Sequence, residues 1–180
     1  MIAMPELSAN LWTAWKTIDD WWKKYWGMDW NAVSWGEWTE GAITPFIITS
    51  LAPALGCKPV RLERTGVEKQ KRTRADYVML KTQKELVYIE HESYSRDVYG
   101  EMTKLIAAKV PLKVVVTYDQ ESVLEDLAKD IFRRVEEKGD SSEWLLIGGI
   151  TDSSENMADL SKWVAYSIPN LNGKTAITRL

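Results

Sequence analysis

The sequence predicts a mixed α/β domain in which a central sheet is flanked by helices. Two observations carry this prediction. Helical and strand periods alternate along the chain in the order α-α-βββ-α-β-α-β-β, and one run, Leu112 to Tyr118, is almost wholly apolar. An apolar run of that length is typical of a central strand in a sheet that helices cover on both faces. The length of 180 residues is that of a single domain, residues 1–180.

Residues 1–33 are predicted to form a tryptophan-rich helical extension. Apolar side chains recur at helical spacing over residues 8–26: Leu11, Trp15, Ile18 and Trp22. Eight of the ten tryptophans lie between Trp12 and Trp38. Such rings can fill a core, form a subunit contact or stack on bases. Because this region holds more tryptophan than a core of this size requires, a homodimer through it is one expectation.

Residues 34–120 are predicted to hold the core of the domain. A second helical stretch runs from about residue 34 toward Leu51, with Pro45 as a kink or break. Three strands are predicted next, over residues 58–64, 74–80 and 85–92. Their short connections predict an antiparallel meander, whose second and third strands form a hairpin about residues 81–84.

The remaining elements complete the sheet and its covering helices. A helix over residues 98–110, stopped by Pro111, precedes the apolar strand. Residues 121–180 add an amphipathic helix that ends at Gly139. The last two strands are predicted at residues 144–150 and 163–168.

Charge and cysteine content narrow the class of protein. The net charge of −3 argues against a generally basic nucleic-acid-binding surface, so contact with nucleic acid would need a local basic patch. The single cysteine, Cys57, excludes an internal disulfide and is typical of a reducing compartment. The sequence shows neither an apolar run of membrane-spanning length nor a signal peptide. We therefore expect a cytoplasmic protein without a membrane partner.

Three carboxylates predict a metal site at one end of the hairpin. Side chains alternate along a strand, so Glu90 and Glu92 lie on one face, and His91 lies on the other face, where we expect it to be packed and hydrogen-bonded. Counted outward from the turn, Asp76 falls close to Glu90. Carboxylates at about 4–6 Å from each other raise their pKa or require a counter-cation, and Mg²⁺ or Mn²⁺ suits such ligands. The alternative is a solvent-facing strand end neutralised by lysines.

This arrangement resembles the PD-(D/E)XK nuclease superfamily, the restriction-endonuclease-like fold. Its pattern is a strand Asp, a hairpin, then (Asp/Glu)-X-Lys on the next strand, within an α-βββ-α-β core. Asp76 matches the first acid and Glu90 the second, and Glu92 stands where the lysine is usual. The resemblance covers about residues 34–120 and implies a restriction-endonuclease-like core. It also implies a catalytic set of Asp76, Glu90, Glu92 and Lys104.

The resemblance implies metal-dependent hydrolysis of phosphodiester bonds in DNA. Asp76 and Glu90 would be ligands of Mg²⁺ or Mn²⁺, and Glu92 a further ligand or the base that orients water. Because glutamate replaces the usual lysine, the alternative is a domain that has lost catalysis and binds nucleic acid or a protein.

The catalytic lysine and a further metal-binding glutamate of the family pattern each leave two alternatives in this sequence. Lys104, on the helix after the third strand, is either a migrated catalytic lysine or a helix charge paired with Glu101 or Glu85. The family also tends to contribute a metal-binding glutamate from the helix before the first strand. Both Glu37 and Glu40 fit that position.

A basic run lies just before Asp76. Seven of the 17 residues from Lys58 to Arg74 are lysine or arginine. Such a run is either a solvated loop or a grip on phosphates, which supply most of the nonspecific affinity for DNA. The residues predicted to contact nucleic acid are Arg64, Lys69, Lys71, Arg72 and Arg74.

Overall fold

The computed structural model describes residues 7–25, 43–61, 75–151, 162–168, 170–171, 174–175 and 177–180. The helices in these ranges are α1 (Leu7–Tyr25), α2 (residues 44–54), α3 (Val98–Ala107) and α4 (Glu121–Lys138). The longer strands are β1 (Lys58–Arg61), β2 (Tyr77–Lys81), β3 (Lys84–His91), β4 (Leu112–Asp119), β5 (Glu143–Ile150) and β6 (Lys162–Ile168). Three strands of two residues each follow: β7 (Asn170–Leu171), β8 (Lys174–Thr175) and β9 (Thr178–Arg179).

Seven of these strands form one mixed sheet in the order β1-β2-β3-β4-β5-β6-β9. Strands β1, β2 and β3 are antiparallel neighbours, which confirms the predicted meander. Strand β4 lies parallel to both β3 and β5, whereas β6 and β9 extend the sheet in antiparallel fashion. The predicted α/β class with a mixed central sheet is therefore confirmed. The pattern did not predict β7, β8 and β9, because two residues are too few to show a period.

Helices cover both faces of the sheet. The connections β3-α3-β4 and β4-α4-β5 both join parallel neighbours and advance in the same direction, so right-handed crossovers place α3 and α4 on the same face. Residues such as Met102 and Ile131 bury that face together with Tyr88 and Val115. Helices α1 and α2 pack on the opposite face.

Two tryptophans of α1 fill the core beneath the sheet. Trp12 and Trp15 are buried in a cluster that includes residues of β2, β3, β4 and β5. The Trp15 ring meets the rings of Phe46 and Trp163 edge-on, at centroid distances of 4.7 and 5.0 Å. The core-filling role is confirmed for these two residues. The other six tryptophans between Trp12 and Trp38 lie outside the described side chains, and the homodimer stays a prediction.

Helix α2 is continuous through both of its prolines. It consists of α-helical Thr44–Phe46, π-helical Ile47–Leu51 and α-helical Ala52–Ala54. Pro45 lies near the start of the described part of this helix, and the helix continues past it. Residues 34–42 of the predicted helix lie outside the described residues.

Strand β4 is the buried central strand that the apolar run predicted. Each residue from Leu112 to Tyr118 is buried, and this set includes Lys113. The preceding helix α3 ends at Ala107 rather than at residue 110, because Ala108 has extended backbone angles. Pro111 also disfavours a helical conformation at the residue before it.

The remaining predicted elements are confirmed within one to three residues. Helix α4 ends at Gly139, whose φ of 61° is the left-handed conformation that glycine adopts readily. Strands β5 and β6 match the two predicted strands of the C-terminal part. Strand β2 starts at Tyr77, so Asp76 lies just before this strand rather than inside it. Among the described residues, none of the helices has the length and apolar character that a membrane crossing requires.

Candidate metal centre

A bulge in the β2–β3 hairpin sets the register between the two strands at the end away from the turn, where Asp76 and Glu90 lie. The hairpin turns through Thr82 and Gln83. Both residues have positive φ, as the central residues of a two-residue type I′ turn require. Next to the turn, Leu80 pairs with Glu85, but one residue further from the turn Met79 pairs with Val87. Leu86 is thus an extra residue on β3. Leu86 and its neighbour Val87 both pack against the face that α1 and α2 cover.

This extra residue brings Asp76 and Glu90 opposite each other. Beyond the bulge Tyr77 pairs with Ile89, and the next position outward aligns Asp76 with Glu90. With the register of the turn, Asp76 would instead lie opposite Ile89, whose side chain is on the other face. The Asp76 N–H donates to Glu90 Oε2 at 3.3 Å, and the His91 N–H donates to Asp76 Oδ2 at 2.9 Å. The predicted proximity of Asp76 and Glu90 is confirmed.

Three carboxylates form a cluster between β3 and α3. Glu90, Glu92 and Glu101 each offer one oxygen, and these oxygens lie within 4.8 Å of one another. Glu90 is buried near the end of β3, Glu92 follows the strand, and Glu101 lies in the first turn of α3. Opposite ligands of a hard cation that binds oxygen at 2.0–2.6 Å are separated by about 4–5 Å, so the spread of the three oxygens is suitable for such an ion.

The burial of Glu90 and its unpartnered oxygen are also consistent with a bound cation. Its side chain is only 1% exposed, and Oε1 is buried without a hydrogen-bond partner among the described residues. A buried carboxylate is costly unless a charge or a donor compensates it. A divalent cation would provide that compensation, and oxygen-only ligands suit Mg²⁺, Mn²⁺ or Ca²⁺.

The cluster holds protons tightly when no cation is bound. Burial, together with the charges of Asp76 and Glu101, raises the pKa of Glu90 to about 10. Burial and the same two charges raise the pKa of Glu92 to about 7. Both shifts have the direction expected for acids that are crowded together away from water.

Among the described residues, Lys104 is the cation whose charge acts on Glu90 and Glu92. It forms an ion pair with Glu101, three residues earlier on α3, as one of the two sequence alternatives predicted. Burial acts to lower the pKa of Lys104, but the hydrogen bond with Glu101 and the charges of Glu90 and Asp76 outweigh it, so this pKa is raised. Lys104 is therefore a protonated ammonium group at neutral pH and is not suited to act as a base.

His91 lies on the opposite face of the sheet, as the alternation predicted. Its Nε2 and the Tyr118 hydroxyl are 3.0 Å apart, and the two rings meet edge-on. Burial lowers the pKa of His91 to about 4. His91 is thus a neutral core residue at physiological pH. Its link to the acids is the main-chain N–H, which donates to Asp76.

The other predicted site residues have different outcomes. Asp76 contacts Glu90 but is not part of the three-carboxylate group. Glu37, Glu40 and the predicted nucleic-acid contacts lie outside the described residues: Arg64, Lys69, Lys71, Arg72 and Arg74. Glu101 was missed as a ligand, since the sequence suggested it only as a partner of Lys104. Its position in the first turn of the helix that follows Glu92 was the available signal.

The raised pKa values predict that the metal-free protein loses stability as pH rises. An acid whose pKa is higher in the folded than in the unfolded state binds a proton on folding, so the free energy of unfolding falls with pH between the two values. For Glu92 this interval runs from about 4.5 to about 7, and for Glu90 from about 4.5 to about 10. His91, with its lowered pKa, has the opposite effect from about 4 to 6.5.

Above pH 6.5 the histidine no longer opposes the two glutamates. We expect the free energy of unfolding to fall by about 1–2 kcal/mol between pH 6.5 and 8, after allowance for the partial exposure of Glu92. Urea titrations in the presence of a chelator measure this change. A Glu92→Gln variant should show a smaller fall. A free energy of unfolding that is constant or rises over this interval would contradict the assignment of these protons.

No protein-family model, curated protein or solved structure matches this chain. The resemblance to the PD-(D/E)XK superfamily therefore stays a prediction, based on the motif and on the order of elements.

Proposed function

We propose that this protein is a divalent-metal-dependent nuclease that hydrolyses phosphodiester bonds in DNA. The observation that carries the proposal is the convergence of Glu90, Glu92 and Glu101, with Glu90 Oε1 buried and without a hydrogen-bond partner among the described residues. The order of a helix, three antiparallel strands, a helix and a parallel strand supports a restriction-endonuclease-like core as part of this proposal.

The four acids have distinct parts in the proposed site. Glu90, Glu92 and Glu101 would hold Mg²⁺ or Mn²⁺, and Asp76, in contact with Glu90, is the additional ligand that the resemblance implies. The bound ion would polarise the scissile phosphate, lower the pKa of a water molecule and stabilise charge on the leaving 3′ oxygen.

Glu92 is the proposed base. Its carboxylate lies beside those of Glu90 and Glu101, where it would be within reach of a water molecule in the site. It would accept a proton from the attacking water as the new oxygen–phosphorus bond forms and the bond from phosphorus to the 3′ oxygen breaks. Lys104, which stays protonated, would offset negative charge on the phosphate instead of removing a proton.

Cleavage assays with substituted acids test this proposal. We expect the purified protein to cut DNA in Mg²⁺ or Mn²⁺ but not in a chelator, and Asp76→Ala to abolish cleavage without loss of the fold. Glu92→Lys restores the usual residue of the motif, and it should retain activity if position 92 has the role of that lysine, although a lysine cannot replace Glu92 as a ligand of the cation. Glu136→Ala, on the exposed surface of α4, is the matched control and should cut like the wild type. If the wild type cuts neither DNA nor RNA with either ion, the proposed activity is wrong.

One observation favours the alternative of a binding domain without catalysis. Lys104 is paired with Glu101, and the position of the usual motif lysine is occupied by Glu92. The same preparations distinguish the two functions, because a binding domain would retard labelled DNA in a gel without cutting it.

A further inference from the structure

The Thr117 hydroxyl is a buried polar group that the proposed chemistry does not use. The Thr117 side chain is 0% exposed, and Oγ1 has no hydrogen-bond partner among the described residues. In folded proteins, the large majority of buried hydroxyls form a hydrogen bond with protein or with ordered water. A hydroxyl of this kind therefore points to a polar partner nearby.

The sheet places Thr117 beside Glu92. The parallel ladder pairs Glu90 with Val115 and His91 with Val116, and the Glu92 N–H donates to the Val116 carbonyl at 2.8 Å. The next step of this register aligns Glu92 with Thr117. Because side chains alternate along β4, Thr117 lies on the same face as Val115, which is the face that holds the acids.

The other neighbour of Thr117 cannot satisfy its hydroxyl. Thr117 pairs with Gly148 on β5, which has no side chain. Leu124 of α4 covers this glycine so closely that a Cβ atom at position 148 would lie 2.5 Å from a Leu124 methyl carbon. The β5 neighbour of Thr117 therefore offers no polar side chain, whereas its neighbour on the β3 side, Glu92, offers a carboxylate.

We propose that Thr117 is a positioning residue for Glu92. Its hydroxyl donates a hydrogen bond to a water molecule that in turn donates to the Glu92 carboxylate, and this bridge keeps Glu92 directed toward Glu90 and Glu101. Hydrogen bonds from outside a metal site commonly orient the ligands in this way, and a buried water with several polar partners is an ordinary structural element. The expected effect on metal binding rests on the proposed function, whereas the bridge itself does not.

Three substitutions test this role. Thr117→Val keeps the shape of the side chain and removes the hydroxyl, and Thr117→Ser keeps the hydroxyl. Thr151→Val is the matched control, because Thr151 is also buried with an unpartnered hydroxyl among the described residues but lies after the end of β5, which is not a neighbour of β3 in the sheet. Titration with Mn²⁺ followed by electron paramagnetic resonance measures affinity, and thermal unfolding in a chelator measures stability.

We expect Thr117→Val to weaken Mn²⁺ binding about tenfold, as is typical when a group that orients a metal ligand is lost. Thr117→Ser and Thr151→Val should bind Mn²⁺ like the wild type. If Thr117→Val binds Mn²⁺ with unchanged affinity, the positioning role is wrong.

The metal-free protein separates this proposal from the proposed function. If the wild type binds no Mn²⁺, the proposed function fails, and the melting temperature then decides the role of Thr117. A lower melting temperature for Thr117→Val, with recovery in Thr117→Ser, supports the bridge to Glu92. A higher melting temperature overturns it, because valine would then have replaced a hydroxyl that had no partner at all.

Discussion

Replacement of Lys113 by methionine is expected to destabilise the protein by about 3–5 kcal/mol, the range observed when one member of a buried ion pair is removed. Lys113 is 0% exposed, and its Nζ donates to Asp140 Oδ2 at 2.6 Å and to the Ile106 carbonyl at 3.2 Å. The same carboxylate oxygen accepts a hydrogen bond from Trp144 Nε1 at 2.9 Å. Without the ammonium group, Asp140 would remain as a buried charge without its counter-ion.

Urea unfolding at neutral pH measures this loss. Lys129→Met is the matched control, because Lys129 forms ion pairs with Glu125 and Asp126 on the surface of α4 and its side chain is 57% exposed. Exposed pairs of this kind contribute about 0–1 kcal/mol. The explanation would be wrong if Lys113→Met destabilised the protein no more than Lys129→Met does.

Glu90→Gln is expected to have opposite effects on activity and on stability. Glutamine keeps the shape of the side chain but removes the negative charge, so cleavage should fall by about 10²–10³-fold, as happens when a single electrostatic contact in an active site is lost. The metal-free variant should be more stable than the wild type at pH 8, by about 2 kcal/mol, because glutamine does not have to bind a proton on folding.

The pH dependence makes this second prediction specific. The pKa of Glu90 is raised to about 10 by burial and by the charge of Asp76. The stability gain should therefore be present at pH 8 and almost absent near pH 4.5, where the unfolded wild type is already half protonated and takes up little further proton on folding. Chelator-treated samples in urea titrations at the two pH values measure it, with Glu136→Gln as the exposed control. A gain that is equal at both pH values would show that the charge of Glu90 is not its cause.

Regular periods and local spacing made much of the fold predictable. The apolar run of β4, the meander of β1 to β3 and the glycine at the end of α4 all follow from neighbours in sequence, and these predictions are confirmed. The nearness of Asp76 and Glu90 was predicted because a hairpin brings the two segments together, but their direct pairing depends on the bulge at Leu86.

Features that depend on tertiary packing were not predictable in the same way. Glu101 joins the acids only because α3 packs over the end of β3, and the burial of Lys113 depends on Asp140, 27 residues further along the chain. The extra residue at Leu86 has no sequence signal either, because Leu86 and Val87 are both apolar and fit either face.

The bulge at Leu86 has a consequence for how the hairpin tolerates change. It interrupts the ladder between the exposed tip of the hairpin and the paired acids, so each part keeps its own register. Hairpin tips are where chains most readily accept insertions and drift in sequence. An interruption at this point means that a change in the register of the tip need not change the pairing of Asp76 with Glu90.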